Sequence, residues 1–196
     1  MQHHILSFSG IAGIAILWLS VITSLILTRF NVLGTLPISY LGVYDNSRYL
    51  FNGGLILSAL LLLLFMCHVG RQIILSKVFL AVFFLGQLSQ IIVALTAYNS
   101  QSIEKTIHVI FAFALALTLP VSMYAFKKSP GVTGNIKLMT SRLLNIELVM
   151  FVLGIGWFVR ASAAGALSEM IVAVVFDVWI IVLSLKLLQA DKLRAN

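Results

Sequence analysis

Six acids and four histidines are all that this chain offers for acid–base work, and their spacing limits what that work can be. Glu104 and His108 stand four apart, so at helical spacing they share a face and make a carboxylate-and-base pair. Asp177 lies deep inside an apolar run, at the same depth in its run as Ser58, Gln87, Gln90 and Thr118 in theirs. A carboxylate at a bilayer centre costs about 2.5–3.5 kcal/mol, so Asp177 must face a protein interior, with Gln87 and Gln90 as natural partners. That layer suits a proton- or ligand-linked carboxyl. Intramembrane hydrogen bonds are also ordinary bundle glue, and the network explanation takes precedence. A third group, Ser39, Asp45, Arg48, Asn52, Arg160 and Glu169, gathers with His108 at predicted helix ends. Arg48 and Arg160 suit an anionic ligand, while Ser39 is the hydroxyl best placed for nucleophilic work, with no base assigned to it. Solvated helix-end pairs, with Glu104 and Glu169 favoured at helix N-termini, are the plainer explanation.

Metal chemistry finds little support. His68 and His108 fall at opposite ends of their runs, roughly 25 Å apart in depth at helical rise. His3 and His4 are terminal. No metal and no cofactor is expected, and Cys67, the single cysteine, has no partner for an internal disulfide.

The elements that must position these groups are apolar runs at about residues 5–28, 49–69, 78–98, 106–126, 143–159 and 167–188. A bilayer core of about 30 Å needs about 20 helical residues. Apolar residues make up 61% of the chain and charged residues 10%, against about 25% charged in a typical soluble domain. The expectation is an all-α polytopic protein, one six-helix transmembrane domain over residues 1–196. The first run lacks Lys or Arg at its start and a small-x-small site at its end, so it reads as a retained helix rather than a cleaved signal.

A net charge of +7 could point to nucleic acid, but its placement does not. Arg71, Lys77, Lys127, Lys128, Lys137, Arg142, Lys186, Lys192 and Arg194 fall on the side holding both termini; Arg29, Arg48, Lys105 and Arg160 fall on the other. By the positive-inside rule both termini are cytoplasmic, which predicts a multi-pass protein of the cell inner (plasma) membrane. The basic residues then serve anionic lipid headgroups, and no nucleic-acid partner is expected.

The longest outer loop, about Arg29 to Arg48, contains Phe30, Leu36, Leu41, Tyr40 and Tyr44 and is too apolar for a tether; it should fold back over the outer mouth. Tyr40, Tyr44, Tyr49 and Tyr98 mark the outer boundary. Ser9 with Gly13, Ser20 with Ser24, Ala112 with Ala116, and Gly154 with Gly156 should let helices approach closely. Pro120 should kink the fourth span. At the inner rim stand His68, Arg71, Asn145, Glu147 and Lys186, where Glu147 should pair with Lys186 or Arg71 in a structural role.

The run Ile38-Ser39-Tyr40-Leu41-Gly42, then Arg48, then Phe51-Asn52 entering a Leu-rich helix, resembles the first-loop signature of an uncharacterised family of six-span prokaryotic membrane proteins. That family is domain of unknown function nine-nine-eight, similar in layout to the eukaryotic Frag/DRAM/Sfk group. His108 with Ala112, and Glu169 with Trp179, fall where its pattern places them. Where the family often has Glu-Arg at the head of its last span, this chain has Glu169-Met170, which removes the ion pair the resemblance would imply. The resemblance implies six helices with the signature facing outward. It supplies no activity, and a lipid-related role follows only by analogy with the eukaryotic group.

The leading expectation is a non-enzymatic, or not demonstrably enzymatic, protein that binds a lipid or small amphiphile in an outward pocket under the first loop. Ser39, Asp45, Arg48, Asn52, His108, Arg160 and Glu169 would line that pocket. One rival is the substrate-binding component of a vitamin-type transporter, which would co-purify with a membrane partner and an ATPase. The other is an intramembrane lipid hydrolase or transferase using His108, Glu104 and Asp177. Whether the chain has a homo-oligomeric or membrane partner is left open.

Overall fold

With no water in a bilayer core to satisfy backbone N–H and C=O groups, a chain this apolar must close its hydrogen bonds within each crossing segment, and helices do that. The computed structural model describes residues 2–34, 36–96, 103–161 and 165–195, with side chains for 6–34, 36–96, 103–156 and 165–190. Six helices result: α1 (Gln2–Thr28), α2 (Arg48–Gln72), α3 (Lys77–Leu95), α4 (Ile103–Lys127), α5 (Gly134–Ala161) and α6 (Ala166–Ala195). All six contain segments long and apolar enough to cross a membrane. The chain is a multi-pass membrane protein, and no strand occurs among the described residues.

Consecutive helices pack against one another, and α6 returns to α1, closing a ring; α4 and α6 also touch. Close approach between α1 and α2 rests on small side chains: a Cβ on Gly13 would meet Leu61 and Leu62, and one on Gly54 would meet Ser20. Gly10 presses on Ser184 and Phe65, Gly86 on Thr118, and Gly154 on Val172. Gly156 departs from the expected pattern, because it faces open space and does no packing work. The interior is aromatic. Trp179, fully buried, meets Phe126 edge-on with ring centroids 5.2 Å apart and Phe176 at 5.4 Å. α4 runs continuously through Pro120.

The ring has two unlike ends. At the terminal end, where α1 begins, the α2–α3 and α4–α5 turns are stapled together. Gly131 N–H donates to the Ile74 carbonyl at 2.9 Å, and Ser76 N–H to Ser129 Oγ at 3.0 Å. Ser76 Oγ in turn accepts from Phe79 N–H at 3.1 Å, capping α3. Gly131 is required there, since a Cβ would strike the Ile74 backbone. At the loop end, α1 leaves its last turn through Arg29 in the left-handed region (φ 52°), with Phe30 N–H returning to the Leu25 carbonyl.

One boundary differs in an important way. Sequence hydropathy starts the fifth span at 143, but α5 starts at Gly134. Lys137 and Arg142 interrupt the apolar run without interrupting the helix, because both lie on its exposed side while Thr140 and Leu144 are buried. Glu147 therefore sits halfway along α5, not at an inner rim.

Candidate functional site

Segment 36–47 folds back over the loop end as a short 3-10 helix, Ile38–Gly42, touching α1, α2, α3 and α6. Its plug is Leu41, fully buried with Val21 and Phe51 among Leu17, Trp18, Leu25 and Leu55. Its polar groups are tied down. Ser47 Oγ donates to the Leu41 carbonyl at 2.7 Å, and Asn52 Nδ2 to the Gly42 carbonyl at 3.2 Å. Glu169, on the first turn of α6, accepts from the Ile38 N–H at 2.8 Å and also from the Ser39 N–H. Ala166 N–H donates to the Leu36 carbonyl at 2.9 Å. One carboxylate thus caps the 3-10 helix across two distant parts of the sequence.

Asp45 and Arg48 stand outside this knot. They pair with each other at 3.4 Å on the surface, and the Arg48 guanidinium lies over the Tyr49 ring, 4.7 Å from its centroid. Arg160 is in α5, but its side chain lies outside the described residues, as do Tyr98, His3 and His4. Ser39 is half-buried in the cap itself, its backbone N–H engaged by Glu169.

His108 is buried while Glu104, one turn earlier, is exposed. The His108 Nδ1–H donates to the Thr96 carbonyl at 2.9 Å, and the ring also approaches the Val93 carbonyl. Those are terminal carbonyls of α3, so His108 caps a neighbouring helix. Among the described residues no three His, Cys, Asp or Glu side chains gather to hold a metal ion.

In the middle of the bundle, Asp177 is buried and accepts from Trp18 Nε1–H at 2.9 Å. Trp18 replaces the glutamines as the partner expected from sequence. Gln90 instead donates to the Leu55 carbonyl at 2.9 Å, while Gln87 Oε1 and Ser58 Oγ are buried with no hydrogen-bond partner. A Trp is unremarkable in an apolar run, so no pattern in the chain marked it as a donor to a residue 159 positions away.

Glu147 lies elsewhere than its sequence position suggested. It is 0% exposed, and neither carboxyl oxygen has a hydrogen-bond partner, so it is not bound to Lys186 or Arg71. Gly154 against Val172 on one side, and Trp179 Nε1–H donating to Thr140 Oγ1 at 3.2 Å on the other, fix the α5–α6 register around it. That register brings Glu147 level with Asp177, close enough for the two carboxyls to interact electrostatically. The signal was available: antiparallel neighbours joined by a short turn bring residues equally far from that turn to one depth.

Six apolar helices in a closed ring, one end covered by its own loop and polar groups buried at mid-depth, define an integral membrane protein of the polytopic helical class. More narrowly, the chain belongs to the family described as Protein of unknown function (DUF998), which it matches over residues 11–186. No curated protein and no solved structure matches it.

Proposed function

We propose that this is a non-enzymatic protein of the inner (plasma) membrane, termini in the cytoplasm, that binds a lipid or small amphiphile at its loop end. Segment 36–47 is its cover. The observation that carries the proposal is the fastening of that cover. An apolar plug, Leu41, is held over the bundle by one carboxylate, Glu169, one backbone bond, Ala166 to Leu36, and one amide, Asn52 to the Gly42 carbonyl. In the closed arrangement Leu41 occupies the slot, so an acyl or similar chain would enter as the plug leaves, lying against Val21 and Phe51. Arg48, exposed beside the cover, suits an anionic headgroup, as does Arg160. The excess of Lys and Arg in the terminal-end turns supports the orientation.

The test is lipid co-purification joined to a thermal-shift screen of amphiphiles on the full chain. Bound lipid, or a stabilising amphiphile, should depend on Arg48 and on Glu169. If nothing found responds to changes at Arg48, His108 or Glu169, the proposal is overturned. A reporter fused at the C-terminus should read cytoplasmic; a periplasmic signal would reverse the orientation.

A further inference from the structure

Carboxyls in a membrane interior are expensive, and this bundle buries two at one level of adjacent helices. Glu147 from α5 is fully buried with both oxygens unpartnered. Asp177 from α6 has one oxygen, Oδ2, engaged by Trp18, which leaves Oδ1 for a second interaction. The bracketing contacts Gly154–Val172 and Thr140–Trp179 hold the two helices in the register that makes the residues neighbours. Native structures leave few buried polar groups without a partner, and each such group needs a reason.

Among the described residues no cation on the surrounding elements supplies that reason. Between Leu6 and Thr28, α1 has no ionisable side chain and contributes Trp18. On α4 the ionisable groups lie towards the ends: Glu104, Lys105 and His108 at one, Tyr124 and Lys127 at the other. Beyond Lys77, α3 has none; it reaches α6 through Phe83, stacked on Phe176 with centroids 6.4 Å apart. The 3-10 helix carries only Tyr40. On α6 itself Glu169 is engaged by the loop, and Lys186 lies nine residues beyond Asp177, about 14 Å along the axis. On α5, Lys137 and Arg142 face outward.

Two carboxylates near enough to repel each other in a dry interior cannot both stay charged without a positive occupant between or upon them. We propose that Glu147 and Asp177 form a proton-binding site at mid-membrane. The proton comes from water, bonds to a Glu147 oxygen, and returns to water on release. A metal ion fits less well, because only two side chains bring carboxylate oxygens and no third acidic or imidazole group joins them among the described residues. The site is independent of amphiphile binding at the loop end. Its titration belongs to the pair rather than to either residue alone.

Infrared difference spectroscopy of the full chain in lipid nanodiscs, between acid and alkaline buffer, reads the site directly. The carbonyl stretch of a protonated carboxylic acid should appear in the wild type and be lost in Glu147→Gln. It should shift in frequency in Asp177→Asn and stay unchanged in Asp45→Asn, whose carboxyl is exposed. If Glu147→Gln does not fold, as judged by circular dichroism and gel filtration, the shift in Asp177→Asn carries the test alone. A wild type with no band sensitive to either change overturns the proposal. So does a band that disappears when sodium replaces choline at constant pH, because the occupant would then be a metal cation. Loss of lipid binding with the band intact would overturn only the loop-end proposal.

Discussion

Glu169 and Glu147 are the same side chain on adjacent helices, and the molecule treats them in opposite ways. Glu169 sits at the loop end, where the start of a short 3-10 helix carries backbone N–H groups that its own turn cannot satisfy; it accepts two of them and so fastens the cover. Glu147 sits between two complete helices, whose backbone groups are already paired, and both its oxygens are left over. A carboxylate in a helical membrane protein is therefore structural where the backbone is irregular. Where the backbone is regular, another side chain has to supply the partner, as Trp18 does for Asp177 and as none among the described residues does for Glu147.

Four substitutions sharpen or break that contrast. The largest effect should come from Trp179→Ala, which empties the aromatic centre and frees the α5–α6 register that gives Glu147 its neighbour. A loss of about 3–5 kcal/mol is expected, measured by reversible unfolding in mixed micelles. Glu169→Ala should cost about 1–3 kcal/mol, confined to the cover. Hydrogen exchange at the Ile38 and Ser39 amides should quicken about 10- to 100-fold while helix-centre amides stay protected. Uniform loss of protection would mean that the cover is not a separate unit. Glu147→Leu, by contrast, removes a buried group that satisfies nothing, and should leave stability within about 1 kcal/mol of wild type or raise it. A large loss there would show that Glu147 is structural after all. The smallest effect belongs to Arg48→Ala. Its surface pair with Asp45 is worth less than about 1 kcal/mol, so any change in lipid retention would report recognition rather than folding.

Much of the architecture was legible in the chain. Six unbroken apolar runs have few ways to be satisfied in lipid, and the loop with Leu41 and Tyr40 was too apolar to hang free. The start of α5 was not legible. Lys137 and Arg142 look like loop residues to a hydropathy count, although they occupy one face of a continuing helix. That error carried Glu147 to the wrong depth and assigned it cations it does not meet. Asp177 is buried as its place in an apolar run required, but its partner Trp18 was not found. Partner choice depends on helix rotation, and an apolar run that is hydrophobic all round carries little rotational information. His108 was read as sharing a face with Glu104, but only His108 is buried, and its capping of α3 depends on how two helix ends meet in space.

The staple between the α2–α3 and α4–α5 turns has a mechanical consequence. With Gly131 bound to Ile74 and Ser76 to Ser129, that end acts as a fulcrum, and displacement grows with distance from it. Over the 19 residues of α3, a tilt of about 10° would carry the far end about 5 Å. Paired spin labels should accordingly give narrow separations near the fulcrum and broad ones beside the cover. A bundle fastened in this way would open like a tulip, from the rim with its base closed.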